Sequence, residues 1–180
     1  KTEVEIYRNI FGAHIDQQFL PRVLHNIART VIATRLKEES EAMDEWIDSK
    51  DKYKEFCDAN LQLLKMEIYT GYIPPWLSTE DRKNFTADIR KSVVAEAEHE
   101  GRAGWSGRDT IKMFGEIMSH YASADKLINM SHLVDYYTVQ KPELGEQLPS
   151  GFLDALVTMY NSTVLNEVRE SLFIYNEEQI

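Results

Sequence analysis

Between residues 20 and 32 the apolar side chains Leu20, Val23, Leu24, Ile27, Val31 and Ile32 recur at helical spacing, three and four residues apart. Such a pattern lines one face of an α-helix, whereas a half-buried strand alternates every second residue. It predicts a helix over residues 19–36, and the same period recurs down the chain. A second helix is expected over residues 50–69, with Phe56, Leu61, Leu64 and Ile68 inward. Gly71, Pro74 and Pro75 end it, because proline cannot continue the hydrogen-bond ladder. Ser78, followed by Glu80 and Asp81 in a first turn that favours negative charge, opens a third helix with the stripe Phe85, Ile89, Val93 and Ala97. Gly101 and Gly104 interrupt the chain. Ser106 restarts it, and Ile111, Phe114, Ile117, Met118 and Tyr121 supply the next buried face. Beyond Pro142 and Pro149 a terminal helix or helical pair runs from Gly151, burying Phe152, Leu153, Leu156, Val157, Tyr160, Val164, Leu165, Val168 and Leu172. No segment alternates as a strand does between turns. The expected fold class is all-α, a multi-helix bundle, and residues 141–149 form the clearest candidate connection.

A chain of 180 residues with 43% apolar content can bury a sizeable core. Its 30 acidic against 20 basic residues leave a formal charge of −10, which repels a phosphate backbone and argues against nucleic acid as a partner. Nothing approaches the roughly 20 consecutive apolar residues of a membrane span, and residues 1–20 hold no secretory-type apolar run. Cys57, the one cysteine, falls on an apolar pattern with Tyr53, Phe56, Leu61 and Leu64. It reads as a buried core thiol, and the expected compartment is cytoplasmic. The sequence begins at Lys1 rather than methionine, so a piece of a longer protein is expected.

Most catalytic constellations are absent. There is no G-x-x-x-x-G-K-[ST] phosphate loop, and none of the glycine-rich loop, H-R-D and D-F-G elements of ordinary protein kinases. Glu96 and His99 form one E-x-x-H element of the kind that converges in pairs in di-iron bundles, but no second one exists. An exposed acidic helix end explains the same residues, and no metal is expected. His14, His25, His120 and His132 lack partners at ligand or nucleophile–base spacing and read as surface or capping residues.

Arg108 stands apart. If Ser106 caps a helix, Gly107 and Arg108 occupy its first turn, where a cation forfeits roughly 0.3–1 kcal/mol of dipole interaction. Free backbone N–H groups beside a guanidinium suit a phosphate oxygen presented by another domain. From local sequence alone, pairing of Arg108 with Asp109 or a nearby glutamate on the surface is the favoured reading.

Two stretches carry a family resemblance. TEVEIYRNIFG, residues 2–12, resembles the segment of PrkA-type bacterial serine protein kinases that follows the nucleotide-binding core of their AAA+ module. EGRAGWSGRDTIKMFGEIMSHY, residues 100–121, is similar to the family pattern in which a glycine-containing turn, a serine and an arginine open a lid helix, matched here by Glu100, Gly101, Gly104, Ser106 and Arg108. The resemblance implies an AAA+ lid-like helical subdomain over residues 1–122 with a C-terminal helical region, residues 123–180, packed on it. It implies ATP as cofactor, with Mg²⁺ held mainly by an upstream core domain of the same parent chain. It also implies that Ser106, Gly107 and Arg108 are the cofactor-binding residues here, Arg108 acting as the sensor-2 arginine that reaches the γ-phosphate. A homo-oligomer is a possible assembly, and the fragment alone is expected to be inactive.

Arg22 and Arg29, seven residues apart and sharing a helix face with Asn26, read as a solvated face opposite the apolar stripe, or as a strip that meets the core domain, a neighbouring subunit or the nucleotide. Tyr69, Tyr72 and Trp76 read as packing the Pro74–Pro75 turn onto the core. The competing functional reading is a stand-alone helical interaction module, which would show an exposed apolar patch larger than a few hundred Å². A helical metalloenzyme is the third.

Overall fold

The structure, a computed structural model, describes residues 2–99 and 103–178. Its helices are α1 (Thr2–Phe11), α2 (Val23–Arg35), α3 (Glu41–Trp46), α4 (Gln62–Tyr69), α5 (Thr79–Asn84), α6 (Ala87–His99), α7 (Gly107–Tyr121), α8 (Met130–Asp135), α9 (Pro142–Gly145) and α10 (Phe152–Glu178). Short 3₁₀ turns at Ala13–Gln18 and Lys50–Tyr53 and a π-turn at Tyr136–Gln140 join them. The fold is all-α. Among the described residues the extended backbone pairs only at an isolated bridge between Phe19 and Ile128, where Leu20 N–H donates to the Ile128 carbonyl at 2.9 Å. No helix among them is long and apolar enough to cross a membrane.

The helix expected over residues 19–36 starts later, at Val23. Phe19 is extended and bridged to Ile128, Pro21 disfavours helix at Leu20, and Arg22 turns the chain in the left-handed region at φ 72°. The helix expected over residues 50–69 is broken. After the turn at Lys50–Tyr53 the chain loops to Leu61, itself left-handed at φ 57°, and α4 starts only at Gln62. The buried carboxylate of Asp58 accepts from the N–H groups of Gln62 at 3.0 Å and Leu63 at 2.9 Å, doing for α4 what a capping residue does. The third helix is also two: Ser78 caps α5, accepting from Asp81 N–H at 3.1 Å, and Thr86 accepts from Ile89 N–H at 3.3 Å where the chain restarts as α6.

The buried residues form one cluster that draws on both ends of the chain. Tyr7 of α1 stacks on Phe114 of α7 with ring centroids 4.3 Å apart, and Phe19 stacks on the same ring at 5.8 Å. Ile128, Met130, Leu133, Tyr137, Phe152 and Leu156 belong to this cluster with Val4, Ile27 and Val31. Residues on both sides of position 122 thus share one core. Cys57 is buried, as its apolar neighbours predict.

The terminal helix departs from its expected burial. Phe152, Ala155 and Leu156 are buried in α10, and Leu153, Val157, Tyr160 and Val164 are half-buried, but Leu165, Val168 and Leu172 are exposed. Periodicity marks an apolar face. It does not say whether anything lies against it.

Candidate functional site

The start of α7 is held by the end of α2. Gly104 sits at φ 84°, and a Cβ there would stand 2.3 Å from the Thr34 carbonyl oxygen, so both its conformation and its close approach demand glycine. Trp105 next to it is buried. Its backbone N–H donates to Thr34 Oγ1 at 3.3 Å, its carbonyl accepts from Arg35 Nε at 3.1 Å, and its indole N–H donates to Gln147 Oε1 at 2.7 Å. Arg35 also donates to Glu3 at 3.1 Å, and Glu3 accepts from the Tyr7 hydroxyl at 3.2 Å, so α1, α2, α9's flank and the turn before α7 are tied together. Glu100 and Gly101, the first residues of the family-like pattern, lie outside the described residues.

On this platform Ser106 caps α7 as predicted, in a reciprocal box. Ser106 Oγ accepts from Asp109 N–H at 3.2 Å, and the Asp109 carboxylate accepts from Ser106 N–H at 3.1 Å. Hydrogen bonds from Ser106 hold the Asp109 carboxyl below the usual carboxylate range. Asp109 is therefore turned back on the cap. Arg108 is exposed and makes no hydrogen bond or ion pair among the described residues, so the surface pairing weighed from local sequence does not form there. Gly107 is exposed, with open space where a side chain would stand. Neither backbone N–H of this first turn has an acceptor within the helix. The site therefore offers a guanidinium without an ion pair among the described residues, beside free donors, and this chemistry fits a phosphate.

A concave site lies elsewhere, between α2, α4, the Pro74–Pro75 turn and α10, with a volume of about 340 Å³. Of the arginines on the face that borders it, Arg22 is exposed and Arg29 partly buried, and both are paired within the chain. Asn26 between the arginines is buried against Met130, Arg29 donates to Asn26 Oδ1 and to Glu67, each at 3.0 Å, and Arg22 Nε donates to Glu167 of α10 at 3.1 Å. Each arginine is paired with a glutamate, Arg29 with Glu67 of α4 and Arg22 with Glu167 of α10, a placement no local pattern encodes. Trp76 stacks on Phe56, centroids 5.6 Å apart, and packs the Pro-Pro turn inward as predicted, while Tyr69 and Tyr72 stay half exposed.

The remaining polar candidates have local explanations. Glu96 is not part of a solvated acidic end: it accepts from Ser40 Oγ at 2.8 Å and Ala42 N–H at 3.3 Å, and pairs with the buried Lys65 at 3.4 Å. His99 bonds the Ala95 carbonyl at 2.7 Å. Among the described residues no group of His, Cys, Asp and Glu is arranged to hold a metal. His132 is a capping residue, its Nδ1 accepting from Asn129 N–H at 3.1 Å, and His14, His25 and His120 are exposed. Burial, with the nearby Asp58 charge, pushes the Cys57 thiol well above its usual range, so it is a poor nucleophile. The anchoring roles of Arg35 and Trp105 were missed by sequence reasoning. The available signal was a tryptophan between Gly104 and the capping Ser106, too large and apolar for an exposed turn.

Comparison with known proteins gives one assignment. Residues 63–180 match the family model described as the PrkA serine protein kinase C-terminal domain. The matched range contains α7 and both sides of position 122, and leaves out residues 2–12. No curated protein and no solved structure gave a significant match.

Proposed function

Because this chain belongs to the PrkA serine protein kinase C-terminal domain family, we propose that it is the helical lid and C-terminal part of an ATP-dependent, PrkA-like AAA+ serine kinase, contributing Arg108 to an ATP site completed by an upstream domain. The observation that carries this reading is Arg108 itself, an exposed cation with no partner among the described residues, at the capped start of α7. In a chain of net charge −10 an arginine without an ion pair among the described residues is suited to an outside anion. Ser106 and Gly107 would complete the contact through the helix start, with Mg²⁺ held mainly by the upstream domain. ATP would supply the transferable phosphoryl group. The residues here would bind and report its terminal charge, coupling nucleotide state to the position of the helical cap. The lone reduced cysteine supports a cytoplasmic setting.

The test is Arg108→Ala in the complete parent protein. ATP turnover should fall by about tenfold or more while the circular dichroism spectrum and melting stay unchanged, since an exposed arginine contributes little to stability. Undiminished turnover would refute the assignment. A second reading, a regulatory interaction module without nucleotide contact, is favoured by one observation: the apolar residues exposed on the second half of α10.

A further inference from the structure

Residues 161–178 of α10 carry Leu165, Val168, Leu172 and Tyr175, all between 50% and 59% exposed. Their steps of three, four and three residues are the a/d spacing of a heptad, so they form one seam along the helix. An apolar seam of this kind on a helix is normally covered. At about half exposure each side chain offers roughly 100 Å², so two such seams supply about 800 Å². With the flanking Val164 and the stem of Arg169 the pair approaches the roughly 1,000 Å² that a specific interface needs.

We propose that the distal half of α10 pairs with the same segment of a second copy of this chain, as a short parallel two-helix seam. Charge selects the orientation. Glu167, Glu170 and Glu177 fall at outer heptad positions, away from the seam, while Arg169 borders it. In an antiparallel pair Arg169 would face its own counterpart, whereas in a parallel pair it faces Val164 and the Ser171 edge meets Asn176. Geometry permits it as well. At 100° per residue the buried Phe152, Ala155 and Leu156 project from the side of α10 roughly opposite the seam, so two parallel helices would carry their domains outward without collision. Phe173 and Ile174, also exposed, point to that other side and take no part. The inference does not depend on the role of Arg108.

Light scattering or sedimentation of the 180-residue chain tests it. So small an interface gives a micromolar or weaker pair, and the mass should rise from one copy toward two between about 1 and 300 µM. The double variant Val168→Glu, Leu172→Glu should stay monomeric throughout with unchanged helical dichroism, while Phe173→Ser dimerises like the parent. Under mild oxidation Tyr175→Cys should cross-link to itself. A mass that stays at one copy overturns the proposal, as does a dimer that survives the double glutamate variant. Cross-linking found only between Leu165→Cys and Tyr175→Cys chains overturns the parallel arrangement.

Discussion

The side-chain oxygens of Thr30 and Tyr137 stand 2.7 Å apart in the buried core, joining α2 to the π-turn after α8 across 107 positions of sequence. Thr30 also bonds the Ile27 carbonyl at 2.7 Å, and the Tyr137 hydroxyl touches Met113 Sδ at 3.2 Å, so three segments meet at this point. Because the contact crosses position 122, unfolding should be a single cooperative transition. Tyr137→Phe should cost about 1 kcal/mol for the lost hydrogen bond, and Tyr137→Ala about 3–5 kcal/mol for the cavity. Urea unfolding followed by both dichroism and tryptophan fluorescence checks this, and two separated transitions would contradict it.

Gly104→Ala should be among the most damaging small substitutions. A left-handed residue with a Cβ costs roughly 1–2 kcal/mol, and here the added carbon would also meet the Thr34 carbonyl at 2.3 Å, with no flexible side chain to give way. A loss above about 2 kcal/mol is expected, with protection of the α7 amides against hydrogen exchange reduced first. Wild-type stability in this variant would show that the turn is not held against α2.

Asp81 makes stability depend on acid. Burial pushes its carboxyl up, but hydrogen bonds from Lys52 (2.8 Å), Tyr53 and Ser78 outweigh that and hold it below the usual carboxylate range. A group depressed by folding stabilises above its unfolded pKa of about 3.9, and the contribution disappears as pH falls through the lower folded value. Asp81→Asn should therefore cost about 2 kcal/mol at pH 7, with the difference from the parent shrinking steadily below about pH 4. A difference that is flat from pH 7 to pH 2 would show that the ionised form is not what the fold uses.

Cys57 should resist thiol reagents in the folded protein. It is 4% exposed, and its thiolate is disfavoured by burial and by Asp58. Labelling by a disulfide reagent should follow the rate or population of unfolding, rising sharply with urea. Rapid labelling in native buffer would place the thiol at a mobile surface instead.

The sequence by itself determined what depends on near neighbours. The helical class, the cap at Ser106, the cap at Ser78, the buried thiol and the family resemblance around α7 were all legible, because spacing, capping chemistry and local motifs act within a turn or two of chain. Tertiary structure alone decided the rest. Asp58 breaks the helix expected over residues 50–69 by reaching forward to Gln62 and Leu63, Ile128 pulls Phe19 out of α2, and Glu167 and Glu67 pair with Arg22 and Arg29 from distant positions. Glu96 is drawn to Lys65 in the same way, and Trp105 is buried by Gln147 and Tyr137, 42 and 32 positions away. The exposed end of α10 is the converse case: its apolar residues keep a helical period, yet Leu165, Val168, Leu172 and Tyr175 stay half exposed. A repeating pattern states which face wants cover. Which surface arrives to cover it is set by contacts between positions far apart in the chain, and these have no local signature.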